Sequence, residues 1–117
     1  MTSLTTHVLD VSSGKPASNV EIRLFQIIGG QFKSCGSFRT NSDGRTDTAL
    51  LVDEDFNVGE YQLEFDIQAY YKNTRPDLIE PHFLNTVIIR FSVSDSRTHY
   101  HVPLVCSPWS YSTYRGS

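Results

Sequence analysis

Residues 61–67 read YQLEFDI, in which large apolar side chains alternate with polar ones at every second position. Residues 87–93 read VIIRFSV and place apolar side chains at the same spacing. Successive side chains of a β-strand point to opposite faces of a sheet, so an alternating segment has one face suited to a core. Both segments are therefore predicted to be strands that pack against a shared interior.

The rest of the chain extends this pattern in both directions. Further strands are predicted at residues 5–10, 20–27, 32–40, just before 51, 98–107 and from 111 onward. The segments between them carry turn-forming Gly, Asn, Asp and Pro, as in residues 12–16 and 41–44. Only residues 69–74 are predicted to be helical, and the proline-containing residues 75–81 to be a loop. The pattern predicts an all-β fold, a two-sheet sandwich of about seven to eight strands with one short helix.

The chain length and charge restrict the classes of partner. The 117 residues are expected to form a single domain spanning residues 1–117. Acidic and basic residues are interspersed around a net charge of -3, so we expect no nucleic-acid partner. We expect no membrane partner either, because no apolar run approaches the roughly 18 residues of a spanning helix.

The two ends of the sequence favour a cytoplasmic protein. Residues 1–4 lack the basic and then apolar layout of a secretory signal. The final Arg115-Gly116-Ser117 differs from the Ser-Lys-Leu type of peroxisomal address, and a peroxisomal location stays the alternative in a eukaryotic host. Cys35 and Cys106 stand in no metal or redox spacing, and we expect both to be free thiols.

Four histidines are candidates for chemistry: His7, His82, His99 and His101. His7 lies on the first predicted strand, on the face opposite Val8. His99 and His101 are two residues apart on a strand and should project to the same side. His82 falls at the proline loop, and a structural or surface role is predicted for it.

The spacing of His99 and His101 leaves a metal site open as one alternative. Two imidazoles on one strand face can bind the same metal ion. Such a site needs further ligands, and His7 is the obvious third candidate, with no acidic or cysteine partner at a recognisable spacing. The preferred interpretation has no metal.

The last seven residues, YSTYRGS, carry two tyrosines, an arginine and the terminal carboxylate. Chain ends are normally polar and frayed, so an edge strand with a flexible tail is one interpretation. The other is a segment whose hydrogen-bond donors and charges serve a site.

Three sets of motifs resemble the transthyretin-like family, in order and at fitting intervals along essentially the whole chain. They are Thr6-His7-Val8-Leu9-Asp10 with Gly14-Lys15-Pro16-Ala17, then Asp43-Gly44-Arg45, then His99-Tyr100-His101-Val102-Pro103-Leu104 with Ser107-Pro108 and Tyr114-Arg115-Gly116-Ser117. The terminal tetrapeptide is similar to the hydrolase branch of the family and not to its thyroid-hormone carriers. Trp109 and Cys106 depart from the family pattern, which bears on substrate affinity or packing and not on the class of reaction.

The resemblance implies a hydrolase that opens the ring amide of 5-hydroxyisourate, a small-molecule substrate of urate degradation, by adding water and without a cofactor. It implies a catalytic set at His7, Arg45, His101 and Ser117. Substrate binding is expected at Tyr114, Arg115 and His99, with His99 beside the site. The resemblance also implies a homotetramer, a dimer of dimers, with sites in a central channel between facing sheets.

The residue types suit this reaction. Histidine has an ordinary pKa near ~6.5 and can accept a proton from water and return it, and the planar arginine cation can bind an oxygen-rich ring. One alternative is a carrier of small aromatic ligands in the same channel, which would not need the histidines. Another is a structural sandwich without a small-molecule site.

Overall fold

The alternating segments lie in two layers of β-sheet, as the sequence predicts. The computed structural model describes residues 2–116. Within that range it contains the strands β1 (Ser3–Thr5), β2 (Val8–Asp10), β3 (Lys15–Pro16), β4 (Glu21–Ile28), β5 (Gln31–Arg39), β6 (Leu51–Val52), β7 (Gly59–Asp66), β8 (Thr86–Val93), β9 (Tyr100–His101), β10 (Leu104–Cys106) and β11 (Tyr111–Thr113). One α-helix, α1 (Ile67–Thr74), and a single 3₁₀ turn at Asp53–Asp55 complete the elements of the described chain.

One layer is an antiparallel sheet with the strand order β5-β4-β7-β8. The other layer consists of two groups of strands, β6-β1-β9 and β11-β10-β2-β3. In this second layer β1 runs parallel to β9, and β2 runs parallel to β10.

The two groups of the second layer are joined by continuing hydrogen bonds. Val102 donates its backbone N–H to the Thr5 carbonyl oxygen at 2.9 Å, and Leu104 donates to the His7 carbonyl oxygen at 2.8 Å. The pairing of the chain's beginning with its last third therefore runs from Leu4 through to Asp10 with only a local irregularity.

The core lies between the two layers and is filled from both. The largest fully buried side chains include Tyr61, Phe65 and Ile22 from one sheet and Leu4 and Leu104 from the other. Burying a side chain of this size contributes roughly 1.5–3 kcal/mol to stability. The alternating apolar positions are thus the main source of stability of the fold.

Eleven strands occur in residues 2–116 where about seven or eight were predicted. The predicted strands 5–10 and 98–107 are each split in two, and β3 adds a short edge strand at Pro16. Ile67 was expected to continue a strand face but begins α1 instead. The Asp66 carboxylate accepts the Ala69 N–H at 3.1 Å and caps the helix at that point.

The predicted short helix is confirmed, and it begins two residues earlier than expected. Its eight residues bury Ile67, Tyr70 and Tyr71 against the sheets. Among residues 2–116, no helix has the length and apolar character needed to cross a membrane.

The helix is tied to β2 by a buried carboxylate. Asp10 accepts hydrogen bonds from the hydroxyls of Tyr70 and Tyr71, each at 2.8 Å, and from the Ser12 hydroxyl at 2.6 Å. Burial alone would raise the pKa of Asp10, but these hydrogen bonds outweigh it and hold the pKa below its ordinary value. Asp10 therefore stays ionised although it is only 2% exposed.

Both cysteines are free thiols, as predicted. Cys106 lies beside Asp10, and burial raises the pKa of its thiol to about 11.

Replacing Tyr71 with Phe should lower the free energy of unfolding by about 1.5–3 kcal/mol, because a buried carboxylate loses one hydrogen-bond donor. The folded pKa of Asp10 is depressed, so its stabilisation exists above the ordinary value of 3.8 and is lost as the pH falls through the folded pKa. The difference between wild type and Tyr71→Phe should accordingly shrink in acid. Urea unfolding followed by circular dichroism at neutral and acidic pH measures both effects. The matched control Tyr111→Phe alters an exposed ring, and an equal loss in that variant would contradict the explanation.

Candidate functional site

A row of polar side chains lies on the outer face of the β1–β9 pair. On the inner face Leu4 and Tyr100 are register partners and are buried. The next pair in register, Thr5 and His101, therefore points outward. His99 projects to the same side as His101, as predicted from their spacing, because both rings contact the Thr5 hydroxyl.

Hydroxyl groups of β1 hold the two imidazoles. Nδ1 of His101 lies 2.9 Å from Oγ1 of Thr5, and Nε2 of His99 lies 3.1 Å from the same oxygen. Nδ1 of His99 lies 2.7 Å from Oγ of Ser3. Both ring nitrogens of His99 are thus engaged, and this ring offers no free nitrogen to a metal ion.

The surroundings of the His101 imidazole disfavour its protonated form. Burial lowers its pKa below the ordinary 6.5, and the nearby Arg45, His7 and His99 lower it further. His101 is therefore neutral at neutral pH, with one ring nitrogen available to accept a proton.

The turn that carries Arg45 is docked directly onto His7. His7 and Arg45 form an antiparallel β-bridge, and Val8 donates its N–H to the Gly44 carbonyl oxygen at 2.8 Å. His7 also donates from Nε2 to the Asp43 carbonyl oxygen at 2.9 Å, so the neutral form of this ring has its lone pair on Nδ1. These bonds bring residues from two distant segments to the same edge of the sheet.

Glycine is required at residue 44 for this contact. Its φ is +75°, and a Cβ atom there would collide with the Val8 carbonyl oxygen and press on the ring of His7. Asn41 stabilises the turn, because its side-chain oxygen accepts the N–H groups of Asp43 at 2.9 Å and of Arg45 at 3.2 Å.

The end of the chain returns to His101. After β11, which pairs with β10, Gly116 forms an antiparallel bridge with His101. Gly116 donates its N–H to the His101 carbonyl oxygen at 2.7 Å, and His101 donates to the Gly116 carbonyl oxygen at 3.2 Å. A Cβ atom at Gly116 would lie 3.2 Å from two carbon atoms of the His101 side chain, so the backbone passes tightly against it. Ser117 lies outside the described residues.

The other two predicted residues of the terminal motif make different contacts. The Arg115 guanidinium stacks over the ring of Tyr100 at 4.1 Å and donates to the Thr98 hydroxyl at 3.3 Å and the His99 carbonyl oxygen at 3.4 Å. Tyr114 is 61% exposed. The structure therefore brings His7, Arg45, His101 and Gly116 together, with His99 beside them, and leaves Tyr114 open to solvent.

His82 lies apart from the other histidines. It lines a cavity of about 500 Å³ together with Arg75, Phe83, Pro108 and Trp109, none of which belongs to the row on β1 and β9. No cluster of three His, Cys, Asp or Glu with metal-binding geometry occurs within residues 2–116. Within that range both His99 nitrogens are hydrogen-bonded to hydroxyls, and Nε2 of His7 is hydrogen-bonded to the Asp43 carbonyl oxygen.

Thr5 and Ser3 contact the site histidines but were not predicted as site residues. Both lie on β1 and are two residues apart, like His99 and His101, so strand alternation places them on the same face of the sheet. Alternation does not show which strand lies next to β1, because the pairing of β1 with β9 cannot be predicted from either segment alone.

The chain is similar to proteins of known activity over its full length. A profile described as the HIUase/Transthyretin family matches residues 4–116. The chain is 47% identical over 117 residues to the 5-hydroxyisourate hydrolase of Ralstonia nicotianae, covering 100% of both sequences. It is also 47% identical over 117 residues to the 5-hydroxyisourate hydrolase of Pseudomonas aeruginosa, covering 100% of this chain and 93% of that protein.

Solved structures share the fold. An (S)-allantoin synthase superimposes with a TM-score of 0.92 at 39% identity, covering 98% of this chain, which spans only 43% of that protein. The 5-hydroxyisourate hydrolase of Klebsiella pneumoniae gives a TM-score of 0.81 at 28% identity, with 100% of both chains covered. A sea bream transthyretin in complex with thyroxine gives 0.86 at 27% identity, covering 97% of this chain and 93% of that one. The predicted transthyretin-like sandwich is thereby confirmed.

Replacing Arg45 with Gln should raise the pKa of His101, because one of the nearby charges that disfavour the imidazolium is removed. The pKa should remain below 6.5, since burial of the ring persists. A pH titration of the ring nitrogens by ¹⁵N NMR measures the change. Arg90→Gln removes an equal charge from the other sheet and serves as control. An unchanged pKa in the Arg45 variant, or an equal rise in the control, would show that Arg45 does not act on His101.

Proposed function

The chain belongs to the HIUase/Transthyretin family, and from this premise we propose that it is a 5-hydroxyisourate hydrolase. The reaction adds water to the ring amide of 5-hydroxyisourate in urate degradation and gives the ureido-imidazoline product (OHCU). The observation that carries the proposal is the meeting of a neutral, half-buried His101 with the Arg45 cation and His7 on one polar face. These are the groups that such a hydrolysis requires.

His101 is the proposed general base. Amide hydrolysis needs a group that takes a proton from water, stabilisation of the oxyanion that forms, and a proton for the departing nitrogen. Because its pKa is lowered, His101 is unprotonated at neutral pH and can accept the water proton as the oxygen adds to the carbonyl carbon. His101 then gives this proton to the departing nitrogen of the substrate as the C–N bond breaks, so the imidazole is neutral again at the end.

Arg45 is proposed to bind the substrate and to stabilise the oxyanion. Its guanidinium stays charged at any working pH, and its planar set of N–H donors matches a flat ring rich in oxygen. Arg45 is exposed, while its backbone is fixed by the bridge to His7 and by the Asn41 side chain. A fixed backbone with an exposed side chain suits a residue that binds a substrate arriving from solution.

His7 is the proposed partner of His101 in orienting water or substrate. Its bond from Nε2 to the Asp43 carbonyl leaves Nδ1 as an acceptor for an N–H or O–H group. Ser117 is proposed to complete the catalytic set through its hydroxyl, supported by the contact of the preceding Gly116 with His101. Tyr114 and Arg115 are proposed to help bind substrate, and His99 to support the site from beside it.

We propose further that the active protein is a homotetramer, a dimer of dimers that encloses the sites in a central channel. The support is the openness of the polar face, since Arg45 and Tyr114 are exposed in the isolated chain. A catalytic groove that shields the substrate from bulk solvent needs a second surface over it. We also propose one domain spanning residues 1–117 and a cytoplasmic location, where free thiols persist.

The decisive experiment follows the ultraviolet decay of freshly generated 5-hydroxyisourate with purified protein. We expect wild type to accelerate the decay, and His101→Asn and Arg45→Ala each to lower turnover by about 10²-fold or more. His82→Asn and Arg90→Ala are matched controls that remove the same residue types elsewhere and should retain activity. If wild type left the decay unchanged but bound thyroxine, the carrier alternative would replace the hydrolase.

Deleting Tyr114 through Ser117 should abolish turnover while leaving the β-rich circular dichroism spectrum intact. The deletion removes Gly116, which forms the backbone bridge to His101, but no residue of the buried core. Size-exclusion chromatography of the same sample separates loss of the site from loss of the tetramer. A truncated protein with wild-type turnover would show that the terminal segment has no part in the reaction.

A further inference from the structure

The Thr5 hydroxyl lies between two imidazole rings. It is 2.9 Å from Nδ1 of His101 and 3.1 Å from Nε2 of His99, and Ser3 continues the contacts at the other nitrogen of His99. The four groups form an unbroken row of direct hydrogen bonds in the order Ser3, His99, Thr5, His101. The row starts at a nearly buried serine, 7% exposed, and ends at the proposed general base.

The strand pairing builds this row. β1 and β9 are parallel neighbours, with Thr5 opposite His101 in register. Ser3 precedes Thr5 by two residues and His99 precedes His101 by two residues, so all four side chains point to one face. The row therefore alternates between the two segments, with a hydroxyl from one and an imidazole from the other.

The number of protons on Thr5 limits what the row can do. A threonine hydroxyl has one hydrogen to donate and lone pairs with which to accept. It meets two ring nitrogens, so it can donate to only one of them. When both rings are neutral, Thr5 donates to the nitrogen of one ring and accepts from the N–H of the other. All hydrogen bonds of the row then point the same way along it, and this direction determines which nitrogen of His101 carries its proton.

We propose that Thr5 is a positioning residue that holds His101 in the tautomer with its proton on Nδ1, so that Nε2 presents its lone pair as the base; this rests on the proposed function. In this direction Nδ1–H of His101 donates to Thr5, and the Thr5 hydroxyl donates to Nε2 of His99. Nδ1–H of His99 then donates to the Ser3 oxygen. Three donors, Nδ1–H of His101, the Thr5 hydroxyl and Nδ1–H of His99, are thereby each used once, and each meets an atom that can accept.

The opposite direction would disable the base. If Thr5 donated to Nδ1 of His101, the ring would carry its proton on Nε2 and would offer an N–H group where a lone pair is needed. The proposed direction also suits the next step of the reaction. Once Nε2 has taken a proton from water, Nδ1–H keeps the same partner, and a bond from a charged donor is stronger than one from a neutral donor. Thr5 therefore favours the protonated state formed during the reaction without any side chain having to move.

Burial and nearby charges oppose protonation of His101, and the Thr5 contact acts in the other direction. The row thus allows a ring that is neutral at rest to carry a positive charge briefly. A threonine that served only to join β1 to β9 would affect stability alone. Turnover and the tautomer of His101 distinguish the two roles.

The test combines kinetics with the ¹⁵N NMR signals of the histidine rings at neutral pH. In wild type, His101 should show its proton on Nδ1. Thr5→Val keeps the shape of the side chain and removes the hydroxyl, and it should lower kcat by about 10- to 100-fold, the scale for losing the partner that orients a functional histidine. KM should change little, and His101 should populate both tautomers. Thr5→Ser restores the hydroxyl and should recover kcat to within a few fold of wild type.

Thr74→Val is the matched control, since it removes a threonine hydroxyl that bonds the Tyr70 carbonyl in α1, away from the histidines. It should leave kcat and the His101 signals unchanged. A wild-type His101 protonated on Nε2, or a Thr5→Val protein with wild-type kcat, would overturn the proposal. Should Thr5→Val fail to fold, the wild-type spectrum alone still overturns the proposal if His101 carries its proton on Nε2. A wild type that is inactive on 5-hydroxyisourate would refute the proposed function, whereas the ring signals report on Thr5 independently.

Discussion

The parallel pairing of β1 with β9 is the constraint on which the rest of the molecule depends. It joins segments 96 residues apart and aligns Thr5 with His101. A parallel pair needs a long connection between its strands, and here nearly the whole chain supplies it. The same pairing buries Leu4 and Tyr100 on the inner face. One set of backbone contacts thus closes the core and creates the polar face.

Much of this arrangement could be predicted from alternation alone. A period of two assigned His99 and His101 to one face, and the Asn41–Gly44 turn was recognised from its residue types. The splitting of the long strands could not be predicted, because it depends on contacts from elsewhere. The N–H of Val8 is taken by the Gly44 carbonyl, and the Thr6 hydroxyl bonds the Val102 carbonyl at 2.7 Å. A single segment contains no information about such distant partners.

The same limit applies to the polar groups around the site and the core. His7, Arg45 and His101 could be selected through motif resemblance, whereas the link through Thr5 appears only when strand register is known. Asp10 reads as the polar end of a strand, yet it is buried because α1 supplies two tyrosine hydroxyls. Burial of a carboxylate depends on donors from other elements, and these become visible only in the assembled fold.

The two polar networks lie on opposite faces of the same layer, and this separation has a physical consequence. Asp10 faces inward and holds α1 against β2, in surroundings where an unpaired charge would be costly. Thr5, His99 and His101 face outward, and Arg45 beside them is exposed, so a change of side chain there creates no cavity in the core. The close approaches that must be kept are made by backbone, at Gly44 against Val8 and at Gly116 against His101. The fold therefore fixes the main chain around the site, whereas the side chains of the site are not constrained by packing in the core.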